Sequence, residues 1–421
     1  MKIETNCVQA GYTPKNGESR VLPIYQSTTF KYDTCDHMGK LFDLEADGYF
    51  YTRLANPTVG AVEAKIAALE GGIGAMMTSS GQAATLITIM TVCSEGDHIV
   101  CSSKVYGGTF NLLEVTLRRF GIDVTFVDPD ADCETISAAF TEKTKLLIGE
   151  TISNPALNVL DIEKFAKIAH AHNVPLVVDN TFATPVLCRP FEFGADIVIH
   201  STSKYLDGHA VSLGGIIVDS GNFDWAKSGK FPEFTTPDDS YHGTIYTEKF
   251  GNSAFIVKAR VQLMRDLGSA PSPQNAFLLN LGCETLHLRM KAHSDNALKV
   301  AEYLAQSDKV AWVNYPGLKD CKYNSLAEKY LPNGASGVIS FGVKGGRGAA
   351  IKAMDSMKLV AIVTHVADAR TCALHPASTT HRQLNDEQLT ACGIGADLIR
   401  LSVGIENADD IIEDIEQALN A

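Results

Sequence analysis

The chain has 421 residues, 45% of them apolar, which is enough to bury a large core and to form more than one structural unit. Acidic side chains outnumber basic ones, 49 to 36, so the formal net charge of −13 argues against nucleic acid as the main partner. There is no apolar run of the roughly 18–20 residues that a bilayer span needs, and the N-terminus lacks a secretory apolar core.

Residues 1–60 are rich in Gly, Pro, Thr, Tyr and Asn and are predicted to form an extended N-terminal arm. Over residues 61–269, short β-branched runs alternate with helical patterns, which is typical of a mostly parallel sheet covered on both faces. These runs are DHIVCSS, DVTFVD, TKLLIGETI, VPLVVDN, ADIVIHS and GGIIVDS. Residues 270–421, with long helical patterns and the runs GVISFGV and LIRLSVGIE, are predicted to form a smaller α/β C-terminal domain.

The ten cysteines are scattered and include no C-x-x-C pair. In a chain without a secretory signal, this usage predicts free thiols in the cytoplasm, with neither disulfides nor a structural metal site.

The stretch HSTSKYLDGH places Lys204 just beyond an apolar run. Such a lysine is most often a solvated surface residue. Ser201 and Lys204 also match the Ser-x-x-Lys motif of penicillin-binding acyl hydrolases. The companion motifs, however, occur in the wrong order, with Lys-Ser-Gly at 227–229 ahead of Ser-Asp-Asn at 294–296. A third interpretation is a covalent bond between Lys204 and pyridoxal phosphate.

The third interpretation requires an acid for the pyridine nitrogen and an anion cradle for the phosphate. Asp179 ends the run VPLVVDN, one strand before Lys204, so both residues are expected at the same edge of the sheet, where ligands bind. The turn SSGQAA opens a helix whose first amides could meet the phosphate. The predicted cradle is Gly81, Gln82, Ser201 and Ser203.

Two further residues suit such a site. Tyr106, in VYGGTFNL, could stack on the cofactor ring, although an ordinary core tyrosine is equally compatible with this pattern. Arg400 lies inside the apolar run LIRLSVGIE, where an unpaired guanidinium would be costly. Its partner is therefore either a buried aspartate or the carboxylate of an amino-acid substrate.

Together these motifs resemble the Cys/Met-metabolism family of pyridoxal-phosphate enzymes. The resemblance covers nearly the whole chain and rests on SSGQAA, VYGGTFNL, SNP, VVDNTFATP, HSTSKYLDGH, HPASTTHRQL and IRLSVGIE. It implies an aminotransferase-like fold with a mostly parallel seven-stranded sheet. It also implies that Lys204 forms the Schiff base, that Asp179 pairs with the ring nitrogen, and that Tyr106 stacks on the ring and assists departure of the leaving group.

The family pattern adds residues that local reasoning does not reach. Tyr51 and Arg53 would contact the phosphate, and Tyr51 the substrate, in the site of a neighbouring subunit; this implies a homo-oligomer, expected to be a tetramer built as a dimer of dimers. Asn154 of SNP would lie near the ring hydroxyl and the substrate carboxylate, with Arg400 binding that carboxylate. The segment Thr364-His365-Val366, where relatives carry Ser or Asn, receives no assignment.

Within the family the chain is most similar to the O-acetylhomoserine sulfhydrylase branch. Methionine γ-lyases tend to carry cysteine at the position of Gly108, and compact cystathionine synthases and lyases have a shorter insert than residues 221–251. The resemblance therefore implies γ-replacement of acetate by sulfide or methanethiol, giving homocysteine or methionine. The alternatives within the family are methionine or cystathionine γ-lyase and cystathionine γ-synthase.

Overall fold

The structure is a computed structural model that describes residues 1–380, 382 and 395–421. The end of the motif HPASTTHRQL, namely His381 and residues 383–384, lies outside this range, as does Cys392. No helix in the described part of the chain is long and apolar enough to cross a membrane.

The larger sheet has seven strands in the order β1-β7-β6-β5-β4-β2-β3. Their bounds are β1 Gly74–Thr78, β2 His98–Ser102, β3 Asp123–Val127, β4 Thr144–Glu150, β5 Leu176–Asp179, β6 Ile197–Ser201 and β7 Gly215–Asp219. β7 runs antiparallel to both of its neighbours, and the other pairings are parallel. The mostly parallel seven-stranded sheet is thus confirmed.

Six of these strands coincide with the β-branched runs in the sequence, whereas β1 has no counterpart among them. Its sequence, GAMMT, contains a single β-branched residue, Thr78, so composition alone does not mark it as a strand. The pairing of β1 with β7 supplies the hydrogen bonds that its own propensity does not guarantee.

Apolar side chains alternate between the two faces of this sheet. In β5, Leu176 and Val178 belong to one hydrophobic cluster and Val177 to another; in β6, Val198 and Ile197 divide in the same way. Successive side chains of a strand point to opposite faces, so each face needs its own cover. Helices provide that cover on both sides, and this explains why the strands read as continuous apolar runs.

The helices begin and end as follows. Up to the end of the larger sheet they are Ile3–Gln9, Cys35–Phe42, Pro57–Glu70, Gly81–Val92, Gly107–Asn111, Cys133–Ser137, Ile162–Ala171 and Thr184–Leu187. Beyond that sheet they are Trp225–Ser228, Pro232–Thr235, Tyr246–Phe250, Ala254–Lys258, Arg265–Leu267, Pro273–Glu284, Leu286–Gln306, Asn324–Tyr330, Gly346–Ser356 and Ala408–Leu419. The first two lie in the N-terminal stretch, which is otherwise largely irregular.

A second, five-stranded sheet has the order β10-β11-β12-β9-β8. Its strands are β8 Val310–Asn314, β9 Val338–Val343, β10 Ala361–Ile362, β11 Cys372–Leu374 and β12 Leu398–Ser402. β12 lies inside this sheet, antiparallel to β9 and β11, and carries Arg400 at its centre. The sheet packs around its own hydrophobic cluster, which includes Ile339, Phe341 and Leu401.

Candidate active site

Two neighbouring strands of the larger sheet deliver an acid and a lysine to the same edge. Asp179 is the last residue of β5 and pairs in parallel register with Ile199 of β6. β6 ends at Ser201, and Lys204 follows in the next turn. Because β5 and β6 are parallel, their carboxyl ends coincide, and this edge is where ligands bind in sheets of this kind.

A cavity of about 320 Å³ opens at this edge. Nine of the residues singled out in the sequence line it: Gly81, Gln82, Tyr106, Asn154, Asp179, Ser201, Ser203, Lys204 and Arg400. A second cavity of about 640 Å³ shares Tyr106, Asn154, Lys204 and Arg400 with the first, and extends past Pro155 and Leu374. The two cavities therefore adjoin each other at these four residues.

Tyr51 and Arg53 do not line either of these cavities. They border a larger one, about 840 Å³, formed between the N-terminal arm and the helical region around Tyr241 and Arg260. The Arg53 guanidinium lies 5.1 Å from the centre of the Tyr51 ring, and that ring is 40% exposed. The single chain thus separates these two residues from the other nine.

Lys204 is largely buried and has no carboxylate partner among the described residues. Its Nζ lies 3.3 Å from Nδ1 of His365. Burial, together with the neighbouring cation Arg400, lowers the pKa of Lys204 to about 8. A substantial fraction of the amine is therefore neutral near pH 8, the form that attacks a carbonyl and accepts a proton.

Asp179 has a second buried acid beside it. Glu150 ends β4 in register with Asp179. Burial raises the pKa of Asp179, opposed by hydrogen bonds from Thr181, whose backbone N–H donates to Oδ1 of Asp179 at 2.9 Å. Burial, reinforced by the charge of Asp179, raises the pKa of Glu150 well above its usual range. A cation placed next to Asp179 would favour its ionised form.

The phosphate cradle predicted from the sequence is a helix N-terminus. Ser80 caps the helix Gly81–Val92 by accepting a hydrogen bond from the amide of Ala83. The amides of Gly81 and Gln82, in the first turn, have no intrahelical acceptor. A Cβ at Gly81 would lie only 2.7 Å from Cβ of Ser201, so only glycine allows this turn to approach the end of β6 so closely.

The two serines of HSTSK differ in their surroundings. Ser201 donates its backbone N–H to Oγ1 of Thr181 and borders the cavity. The hydroxyl of Ser203 contacts the backbone of Gly214, donating to its carbonyl at 3.3 Å and accepting from its amide at 3.0 Å. Ser203 therefore both lines the cavity and fixes the turn that carries Lys204.

Arg400 is 6% exposed and reaches the cavity from the second sheet. Its guanidinium donates to Oδ1 of Asn154 at 3.2 Å and to the backbone carbonyls of Thr364 and His365 at 3.3 and 3.1 Å. Its Nε is buried with no hydrogen-bond partner among the described residues. Of the two partners expected for Arg400, a buried aspartate is not found in the described part of the chain. This leaves room for a carboxylate from a ligand.

Tyr106 stands at the cavity mouth with half of its surface exposed. Its backbone N–H donates to Oε1 of Glu150 at 2.6 Å, which fixes the start of the helix Gly107–Asn111. A Cβ at Gly108 would lie 2.4 Å from Cε1 of the Tyr106 ring. A larger residue at position 108 would therefore displace the ring from its present orientation.

The cavity residues to which the sequence analysis gave no role include Glu150, Thr181 and His365. Glu150 carries the same signal as Asp179, an acid that ends an apolar run, and could have been found on that basis. Thr181 bridges the ends of β5 and β6, but a threonine in a loop gives no comparable signal. His365 is separated from Lys204 by 161 residues, and only the packing of the second sheet brings it close.

The donor set fits pyridoxal phosphate. The amides at the helix N-terminus suit its phosphate, and the buried acid suits its ring nitrogen. The lysine of lowered pKa suits its aldehyde, and the guanidinium suits the carboxylate of the amino acid that reacts with it. The model for the Cys/Met metabolism PLP-dependent enzymes matches residues 4–420. The chain belongs to this family and depends on pyridoxal phosphate.

Individual relatives show which members of the family this chain is similar to. The chain is 48% identical to a homocysteine synthase of Schizosaccharomyces pombe, over 99% of this chain and 98% of that one. It is 46% identical to an O-acetyl-L-homoserine sulfhydrylase of Leptospira meyeri, over 99% and 96%. Among solved structures, a protein of Campylobacter jejuni assigned as an O-acetylhomoserine (thiol)-lyase has a TM-score of 0.96 and 37% identity, with full coverage of both chains, and contains a pyridoxyl-lysine monophosphate.

Proposed function

We propose that this enzyme replaces the acetate of O-acetylhomoserine with sulfide or methanethiol, producing homocysteine or methionine in methionine biosynthesis. The names of the relatives support this reaction. The observation that carries the site is the convergence on one cavity of Asp179 from β5, Lys204 from the turn after β6, and Arg400 from β12 of the second sheet. In this proposal residues 61–269 bind the cofactor, and residues 270–421 supply Arg400.

The residues around the cavity divide the work of holding the cofactor. When bound, pyridoxal phosphate acts as an electron sink for charge that develops at the α-carbon. Asp179 keeps the ring nitrogen protonated, Tyr106 stacks on the ring, and Asn154 orients its hydroxyl. The phosphate is held by four residues: Gly81, Gln82, Ser201 and Ser203.

The chemistry centres on the lysine. Arg400, with Asn154, binds the substrate carboxylate and so aims the α-proton at Nζ of Lys204. The freed amine removes that proton, and the pKa of about 8 suits it to this task. Nζ of Lys204 would pass the α-proton to the bound cofactor and then be free to remove a β-proton, after which acetate leaves the γ-carbon with assistance from Tyr106. Hydrosulfide adds at the same carbon, and the β- and α-protons return to the substrate through Nζ.

An absorbance experiment tests the site. Wild-type protein supplied with pyridoxal phosphate should be yellow, and Lys204→Ala should lose the band of the covalent cofactor and about 10²- to 10⁴-fold of its activity. Lys65→Ala is the control, since Lys65 is also buried with a lowered pKa but donates to Cys7. A wild-type protein that stays colourless, or a Lys204→Ala protein that keeps the band, contradicts the proposal.

A substrate assay tests the reaction. Homocysteine should form from O-acetylhomoserine and sulfide, whereas a methionine γ-lyase would release 2-oxobutyrate from methionine. The close contact between Gly108 and Tyr106 disfavours a cysteine-bearing γ-lyase site. If 2-oxobutyrate release dominates, the proposed γ-replacement reaction is wrong, while the proposed cofactor site is unaffected by the result.

The proposal includes the assembly: a homotetramer in the cytoplasm, in which Tyr51 and Arg53 reach the phosphate, and Tyr51 the substrate, of a neighbouring copy. Their separation from the Lys204 cavity supports this arrangement. Co-expression of Lys204→Ala and Arg53→Ala chains is the test. Because a mixed isologous pair contains one intact site, activity should recover to about a quarter of wild type. No recovery would indicate that Arg53 acts within its own chain.

A further inference from the structure

His365 lies at the junction of the two cavities and lines both. It belongs to the segment between β10 and β11, which the sequence left unassigned. Its Nδ1 is 3.3 Å from Nζ of Lys204. No other described side chain forms a hydrogen bond with that amine, so the imidazole is the lysine's immediate polar neighbour.

The ring is held in place through its own backbone. The carbonyl of His365 accepts from Nη2 of Arg400 at 3.1 Å and from the thiol of Cys372 at 3.6 Å. Nε2 of the ring is buried and has no partner among the described residues. The bond to Lys204 is therefore the one polar contact of the ring that the described structure shows, and Arg400 anchors the segment that presents it.

Burial and the neighbouring cations favour the neutral form of the ring. Burial lowers the pKa of His365, and the cations Lys204 and Arg400 lower it further, against the opposing carboxylates Asp368 and Asp207. A neutral imidazole has one donor and one acceptor nitrogen. It can thus accept a hydrogen bond from the lysine ammonium, and it can also donate to, or accept from, the neutral amine.

We propose that His365 is a positioning residue for Lys204: its neutral imidazole holds the ε-amine at the boundary of the two cavities whenever that amine is free of the cofactor. The lysine is free in the period when it must carry protons to and from the substrate. Without a partner, a flexible four-carbon side chain would sample several orientations there. The inference rests on the role proposed for Lys204 and names a second residue, His365, that supports that role.

Three substitutions separate the hydrogen bond from the volume of the ring. His365→Asn places an amide where Nδ1 stands and serves either protonation state of the lysine. His365→Leu keeps bulk but has no polar atom. His365→Gln carries the same amide one carbon further out, so it matches Asn in chemistry but not in reach. His172→Asn is the control, because that ring has a lowered pKa too but contacts Ser137 and Phe140, outside the cavities.

Two readouts are needed. The first is the rate at which apoprotein captures pyridoxal phosphate covalently, followed by absorbance. The second is the separate measurement of kcat and KM for O-acetylhomoserine. His365→Leu and His365→Gln should lower both the capture rate and kcat about 10- to 100-fold, the loss expected for one hydrogen bond to a charged group. KM should change less than about threefold because Arg400 is untouched. His365→Asn should recover most of the loss.

Other results overturn the inference. If His365→Leu raises KM and leaves kcat unchanged, the ring lines the substrate site without positioning the lysine. If Asn is as impaired as Leu, the hydrogen bond is not what matters. If the Leu protein does not fold, the comparison of Asn with Gln decides the question in the same way.

The outcome is distinguishable from failure of the proposed function. Borohydride reduction fixes the bound cofactor to its lysine, and peptide mapping locates it in the wild-type protein. A label on a residue other than Lys204 defeats the proposed function. A label on Lys204, with all His365 variants behaving as the His172→Asn control, defeats only the inference.

Discussion

Two of the regions in which the protein buries charge differ in how that charge is paired. Beneath the larger sheet, Glu63 accepts from Arg260 at 2.7 Å and also from the amide of Met77. Glu70 contacts His200 at 2.6 Å, with both side chains fully buried. In these places each buried acid has a basic partner within hydrogen-bond distance.

At the carboxyl edge of the same sheet the pairing is absent. Asp179 lies beside another acid, Glu150, and Lys204 lies near another cation, Arg400. No ion pair in the described part of the chain involves any of these four residues. An unpaired buried charge is costly, so a fold keeps a group of them only where a ligand brings the opposite charges. The contrast shows that a cluster of unpaired charge marks the site more clearly than cavity size does, since the cavity beside the arm is larger than either cavity at the site.

Arg260→Leu should have the largest effect, and the effect should be on stability. It leaves Glu63 buried without its cation, and loss of one partner of a buried pair costs about 3–5 kcal/mol. Chemical unfolding of the apoprotein at fixed concentration measures the loss. A change below about 1 kcal/mol would remove the distinction between the paired region and the site.

Arg400→Leu should have the opposite effect, with a loss of activity and no loss of stability. Since the guanidinium pairs with no acid in the described part of the chain, thermal stability should stay equal or rise. Loss of the contact with the substrate carboxylate should weaken transition-state binding by about 2–5 kcal/mol, which is measured as a lower kcat/KM for O-acetylhomoserine. Steady-state kinetics and a thermal melt of the same preparation check both halves. A large fall in melting temperature would indicate that Arg400 stabilises the fold, as Arg260 does.

The pH dependence of cofactor capture sharpens the picture of the lysine. Its pKa is lowered to about 8, so the reactive neutral amine is the majority form above that pH and the ammonium below it. The capture rate should rise about tenfold per unit up to pH 8 and then level off. A small free amine provides the reference for titration of the cofactor itself. In Arg400→Leu the plateau should move to higher pH, because the repelling cation is gone; an unmoved plateau contradicts that coupling.

The smallest effect concerns two helix N-caps, one at the site and one remote from it. Ser80 accepts from the amide of Ala83 at 3.1 Å, and Asn407 accepts from that of Asp409 at 2.9 Å. Replacing either with alanine should cost about 1 kcal/mol of stability. Only Ser80→Ala should also weaken binding of pyridoxal phosphate, measured by titration of the apoprotein. Equal cofactor affinity in the two variants would argue against the helix at Gly81 as the phosphate cradle.

Much of this arrangement was accessible from the sequence. Continuous apolar runs predicted the buried parallel strands, and the acid and lysine at their ends predicted a shared edge. Arg400 stood out because a guanidinium within an apolar strand needs a reason. β1 was missed because its composition is weakly β-forming, and Glu150 was missed although its strand end carried the same mark as Asp179.

The sequence by itself determined which residues lie at strand ends, because the period of the side chains and the position of each turn are local properties. Only the tertiary structure decided which strand ends meet and what remains unpaired among them. The contact between His365 and Lys204 joins two sheets across 161 residues and depends on how those sheets pack. That no described acid pairs with Arg400 is likewise a property of the assembled interior, since solvation and the distance between charges are fixed only when the chain is folded.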